Sequence, residues 1–120
     1  MKSNREFGSM GEQLAMDFLR KKGYKIHEMN WYCGHKEIDI IAEDEEGLVI
    51  VEVKTRTAEP IADVADLISK KKISLLILAA NVYVDMKRID KEVRFDLIYI
   101  EMEHEKYRLE HYEDAFGPNF

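Results

Sequence analysis

Asp39 lies in the apolar run Glu37-Ile38-Asp39-Ile40-Ile41-Ala42, and Glu52 lies in Leu48-Val49-Ile50-Val51-Glu52-Val53-Lys54-Thr55. Paired carboxylates on two neighbouring strands, with a lysine two residues beyond the second, are how a metal-dependent phosphodiesterase site would be laid out. Hard oxygen ligands on a rigid pair suit Mg²⁺, which takes one or two carboxylates and completes its shell with water and substrate phosphate. Lys54, on the same strand face as Glu52, would hold or activate a water or neutralise charge on the phosphorane.

The elements that must position these groups form a hairpin. Glu43-Asp44-Glu45-Glu46-Gly47 is an acidic, Gly-ended turn between two β-branched runs. Strand alternation puts Ile38, Ile40 and Ala42 on one face and Val49, Val51 and Val53 on another. Facing these sets pairs Ile38 with Val53, Ile40 with Val51 and Ala42 with Val49, and so sets Asp39 opposite Glu52 and Glu37 opposite Lys54. A one-residue slip would drive carboxylates into the valine face. Directly opposed like charges are destabilising, and a divalent cation between them would offset that cost. The alternative is the solvated outer face of an ordinary hairpin, where Glu and Lys are common; against it, Asp is depleted in strand interiors.

The remaining elements read as α-β-β-β-α-β-β, an α/β domain. A helix is expected from about Asn4 to Lys22, with Phe7, Gly11, Leu14 and Phe18 on one stripe, Arg20-Lys21-Lys22 in its last turn and Gly23 as its stop. Tyr24 to Trp31 reads as a strand. After the hairpin, Thr55 to Asp66 is a connection containing Pro60, with a short helical turn at Ile61 to Asp66. A second helix runs from about Ser69 to Val84, apolar almost all round from Ile73 to Ala80. Strands follow at Val93 to Ile100 and Lys106 to Tyr112.

Glu12 lies beside the stripe of the first helix. It reads as part of a capping box, Ser9-Met10-Gly11-Glu12, if the helix begins at Ser9, and as a mid-helix residue if it begins near Asn4. Lys70, Lys71 and Lys72 fall in the first turn of the second helix, where positive charge opposes the macrodipole. That placement points to an anionic partner, set against ordinary solvent exposure, which suits Lys70 and Lys71 better than Lys72. His27, His35, His104 and His111 are spread over separate segments and read as non-ligands. There is no G-x-S-x-G turn for a hydrolase nucleophile and no Gly-rich phosphate loop.

At 120 residues, with 46% hydrophobic and 35% charged side chains, residues 1–120 are expected to form one globular domain. The lone Cys33 precludes an intramolecular disulfide, and neither a signal-type leader nor an apolar run of membrane-spanning length is evident, so a cytoplasmic, non-membrane protein is expected. The net charge of −6 argues against a protein that coats nucleic acid. Charge is uneven, however. Residues 49–94, which hold Glu52 and Lys54, carry 9 basic and 7 acidic side chains and form the only net-basic third, whereas residues 95–120 carry 2 and 7.

Taken together, these motifs resemble the YraN family of small bacterial proteins, nearly end to end. The first helix is similar to that family's G-x-x-GE-x-x-A-x-x-[FY]L pattern at Gly8, Gly11-Glu12, Ala15 and Phe18-Leu19, followed by Gly23-Tyr24 and Asn30. The hairpin resembles its E-I-D-[LI]-I and V-E-V-K-T-R core at Glu37 to Ile41 and Val51 to Arg56. Lys72 with Ala80 and Tyr83, Arg94-Phe95-Asp96, and His111 with Ala115-Phe116 complete the series. Two departures are Lys36, where the family usually has Gly, and Ile38, where the "PD" label has Pro.

The resemblance implies a restriction-endonuclease-like fold, a mixed central sheet flanked by helices, related to archaeal Holliday-junction resolvases of the PD-(D/E)xK nuclease group. It implies that Glu12, Asp39 and Glu52 converge on Mg²⁺, or Mn²⁺, with Lys54 assisting the attacking water. It makes Lys72, with Lys70, Lys71 and Arg56, a candidate set for contacting DNA. The expected activity is metal-dependent hydrolysis of phosphodiester bonds in DNA, including branched DNA; resolvase relatives act as dimers, which implies a homodimer here. The competing expectation is a non-catalytic module of the same fold that binds nucleic acid or a protein.

Overall fold

A computed structural model describes residues 4–57 and 66–118. Its elements are α1 (Asn4–Lys21), β1 (Lys25–Cys33), β2 (Lys36–Glu43), β3 (Gly47–Thr57), α2 (Lys70–Lys87), β4 (Glu92–Glu103) and β5 (Lys106–Phe116), in the expected order. The sheet has the spatial order β1-β2-β3-β4-β5. β3 and β4 are parallel and every other neighbouring pair is antiparallel, so the sheet is mixed. Parallel neighbours need a long crossover, and α2 lies within it. Pro60 and all of the Ile61–Asp66 turn except Asp66 lie outside the described residues.

The helices cover opposite faces of the sheet. Ala15 and Leu19 of α1 pack with Ile40, Ala42, Val49, Val51, Ile98 and Ile100. Leu76, Ala79, Ala80 and Tyr83 of α2 pack with Ile38, Ile41, Leu48, Ile50, Phe95 and Phe116. The centre of the sheet is therefore buried on both sides, which explains why β2 and β3 read as continuous apolar runs rather than as alternation. No outer face of the hairpin is left for solvent, so the solvated-face reading of Asp39 and Glu52 fails.

The pairing of Ile40 with Val51 and of Ala42 with Val49 is as expected. Beyond Ile40 the β2–β3 ladder stops, and the expected Ile38–Val53 and Asp39–Glu52 pairs do not form. From there β2 remains paired only with β1, through Trp31–Ile38 and Tyr32–Glu37, while β3 continues beside β4 to Thr57. Ile38 also leaves the face of Ile40 and Ala42 for the α2 side. In the resulting fork the Asp39 carboxylate takes the place of a ladder carbonyl, its Oδ2 accepting the Val53 N–H at 2.9 Å.

Two further local features orient the helices. α1 ends as expected at Gly23, whose φ of +99° closes a Schellman turn in which Tyr24 N–H donates to Leu19 O at 2.9 Å. Gly11 lies so close to β3 that a Cβ there would sit 2.0 Å from Thr55 Oγ1. This close approach holds the next residue, Glu12, over the mouth of the fork.

Candidate metal centre

The helix begins well before Ser9, so Glu12 is a mid-helix residue and its capping-box reading fails. Its carboxylate meets those of Glu37 and Asp39, with ligand oxygens all within 4.8 Å of one another. Glu37 and Asp39 are two residues apart on β2 and so share a face. At that separation, and at an effective dielectric constant of about 20, two carboxylate charges repel by about 3.5 kcal/mol. Repulsion of this size must be relieved by protonation or by a cation.

Glu52 adjoins Asp39 from the β3 side. It is 7% exposed; its Oε2 lies 3.7 Å from Lys72 Nζ, and its Oε1 is buried without a hydrogen-bond partner. Burial is the main cause that pushes its carboxyl well above the ordinary range; hydrogen bonding to Asp39 and repulsion from it add to this, and Lys72 and Lys54 oppose it. Burial, followed by repulsion from Asp39, likewise raises Glu12 to about 7, against a hydrogen bond from Asn30 that favours the charged form. Asn30 reaches Glu12 from a left-handed backbone position in β1, φ 51°.

Asp39 is thus common to two carboxylate neighbourhoods, Glu12–Glu37 on one side and Glu52 on the other. The donor set is all oxygen, crowded and partly unsatisfied, which fits a hard divalent cation of the Mg²⁺ type. An acidic cluster of this kind could hold such an ion, and beside it the Oε1 of Glu52 is buried without a hydrogen-bond partner.

Of the residues singled out from sequence, Glu12, Asp39, Glu52, Lys54 and Lys72 gather around this fork. Arg56 is half-buried two residues beyond Lys54. Lys70 and Lys71 are exposed and, each about 100° or more around the helix from Lys72, turn away from Glu52. Sequence reasoning missed Glu37 as a member of the cluster. The signal is its i, i+2 relation to Asp39; the expected cross-strand pairing of Glu37 with Lys54 does not form, and Glu37 pairs with Tyr32 of β1 instead.

A second buried carboxylate lies next to Val51 on the neighbouring strand. Asp96 is fully buried and every approach to it is filled. Arg94 donates from Nε at 2.8 Å and from Nη2 at 3.0 Å, His111 Nε2 lies at 2.7 Å and the Asp114 N–H at 3.0 Å. Lys22 Nζ lies 2.9 Å from His111 Nδ1. An ammonium only donates, which puts the ring hydrogen on Nε2, facing Asp96. Burial favours the neutral acid, yet the hydrogen bonds from His111, Arg94 and Asp114 together hold Asp96 below the ordinary range. Arg94 also donates to Asp44 Oδ2 and to Tyr24 Oη, each at 2.8 Å, so this network ties the hairpin turn and the end of α1 to β4.

Fold and site together define an α/β protein with a mixed five-stranded sheet, two covering helices and an acidic cluster where two strands part. The chain belongs to the uncharacterised protein family UPF0102, whose model matches residues 11–100; this is the YraN family that the motifs resemble. It is 46% identical over 116 residues to a UPF0102 protein of Flavobacterium psychrophilum, covering 97% of this chain and 98% of that one. A UPF0102 protein of Flavobacterium johnsoniae is 42% identical over 120 residues (97% and 98%), and one of Phocaeicola vulgatus 40% identical over 118 (98% of each). Among solved structures, Pyrococcus furiosus SfsA in complex with Ca²⁺ aligns with a TM-score of 0.41 at 14% identity, over 92% of this chain and 64% of that one. A likeness that distant carries no argument. No helix among the described residues is long and apolar enough to cross a membrane.

Proposed function

We propose that this chain is a divalent-metal-dependent nuclease that hydrolyses phosphodiester bonds in DNA, with branched or otherwise structured DNA as its substrate class. The observation that carries this reading is the meeting of Glu12, Glu37 and Asp39 beside a buried Glu52 whose Oε1 lacks a partner. Asp39, Glu52, Glu12 and Glu37 would hold Mg²⁺, or Mn²⁺ in its place. Bound there, the ion would acidify the attacking water and neutralise charge on the scissile phosphate.

The chain's own groups supply the rest. Lys54, on the Glu52 face of β3, orients the water that attacks phosphorus. Lys72, paired with Glu52, is free to turn to a phosphate oxygen once Glu52 has another partner. Arg56 continues the basic rim along β3. The lone Cys33 and the family's bacterial relatives go with action in the reducing cytoplasm.

A cleavage and nicking assay on linear, flapped and four-way DNA with Mg²⁺ or Mn²⁺ tests this. Wild type is expected to cut, and Asp39→Ala and Glu52→Ala to lose about 10³-fold or more of that rate. Cutting that is unchanged in both variants would refute the reading. The net charge of −6 favours a second reading, a non-catalytic module of the same fold that binds a protein; its signature would be the absence of DNA cleavage under every metal condition.

A further inference from the structure

One exposed flank of α2 carries an apolar stripe. A helix with one side buried is expected to carry polar residues on the other, yet Leu78 is 54% exposed, Val82 43% and Met86 56%, with half-buried Leu75 completing the stripe. The spacings of 3, 4 and 4 keep these residues in one line, about 17 Å long. Ser74 and Asn81 flank the line, so its centre bears no charge. At its ends, Lys71 and Asp85 continue it, both exposed and neither with a side-chain partner among the described residues.

We propose that this stripe is a self-association surface on which a second copy of this chain lays its own α2 antiparallel, about a two-fold axis at Leu78. Charge complementarity favours this arrangement. Residues 71 and 85 are equidistant from 78, so an antiparallel pair centred there brings Lys71 of each copy against Asp85 of the other, and Leu78 against Leu78. The same axis sets Leu75 opposite Asn81 and Val82 opposite Ser74. A parallel pair would instead place Lys71 against Lys71 and align the two helix dipoles unfavourably. A face of this kind is isologous, as closed dimers require.

The sheet edges fit this choice. β1 carries a register break between Ile26 and Glu28 and a left-handed Asn30, and β5 a register break opposite Phe95–Leu97 with a left-handed Asp114. Irregularities of that sort discourage edge-to-edge strand pairing, and among the described residues Leu78, Val82 and Met86 on α2 are the exposed large hydrophobics that fall on one line. The surface lies apart from the acidic fork, so the inference does not rest on the nuclease reading. One pair of helices buries less than a standard interface, so association is to be sought across the micromolar range.

Sedimentation equilibrium of the full chain, from low to high micromolar, tests it. Wild type is expected to pass from the 14.1 kDa monomer to a species of twice that mass. Leu78→Glu is expected to stay monomeric with an unchanged circular dichroism spectrum, because the residue it replaces is largely exposed. Asp85→Lys should weaken the dimer several-fold, and Lys71→Asp with Asp85→Lys should restore it. A wild-type chain that is monomeric at high micromolar concentration, or a Leu78→Glu variant that still dimerises, would overturn the proposal. Loss of association in Asp85→Lys without recovery in the double variant would overturn the antiparallel pairing. Loss of DNA binding in Leu78→Glu with no change in mass would assign the face to DNA instead.

Discussion

Glu52 and Asp96 are buried carboxylates on adjacent parallel strands, one residue out of step, yet their surroundings are opposite. Asp96 receives four hydrogen bonds and is held charged; Glu52 keeps one oxygen without a partner and is held neutral by burial and by Asp39. A buried charge whose partners are all in place belongs to the framework. A buried acid crowded by other acids costs free energy until something arrives to complete it, and such sites are where function concentrates. The Asp96 network supplies nothing to the fork directly, but through Tyr24 and Lys22 it ties down the end of α1, which carries Glu12.

The sharpest way to break this contrast is to neutralise each acid in turn. Asp96→Asn removes the partner of Arg94 and His111 and should cost about 3–5 kcal/mol of stability. Glu52→Gln replaces a group already held neutral and should leave the metal-free protein within about 1 kcal/mol of wild type at pH 7. Urea unfolding of the two variants measures both. Equal destabilisation would mean that Glu52 is as structural as Asp96.

The pH dependence separates the two regions next. Glu12 and Glu52 are raised, so the folded state binds more protons than the unfolded chain, and their contribution to stability declines as pH rises from about 4.5, for Glu12 through about 7. Asp96 is lowered, so its contribution is present above its unfolded value and is lost as pH falls through its folded one. Mg²⁺ should therefore raise Tm by a few degrees at pH 8 and by almost nothing at pH 5. Thermal melts with and without Mg²⁺ across that range check this; a shift that is the same at both pH values would contradict it. The smallest effect is expected at Lys72. Its half-exposed ammonium competes with a metal for Glu52, so Lys72→Met should tighten Mn²⁺ binding a few-fold while DNA cleavage falls. Calorimetry and the cleavage assay read the two opposing changes.

Much of this was legible beforehand, because it depends on local pattern. The element order, the Gly23 stop and the Ile40–Val51 register follow from periodicity and turn chemistry, whereas Asp39 and Glu52 adjoin each other without the ladder pairing that periodicity predicts. What escaped depends on tertiary context. The fork beyond Ile40 exists because β2 stays with β1 while β3 follows β4, a competition that no single strand encodes. α2 runs past Val84 to Lys87 and ends on Arg88 in the left-handed region, φ 52°, where no glycine marks the stop. β5 was expected to end at Tyr112, the last residue before its register breaks; it resumes to Phe116 across a left-handed Asp114. The Asp96 network joins α1, the hairpin turn and both C-terminal strands, so neither its completeness nor the incompleteness around Glu52 could be read from spacing.

If the acidic fork is an incomplete metal site, it binds a divalent cation through Asp39. Calorimetric titration of the metal-free protein with Mn²⁺ at pH 8, for wild type and Asp39→Asn, tests it most directly. Saturable binding to wild type is expected, with protons released as Glu52 and Glu12 ionise, and loss of that binding in Asp39→Asn, which removes the carboxylate common to both halves of the cluster. Absence of saturable binding to wild type, or equal binding by Asp39→Asn, would contradict it.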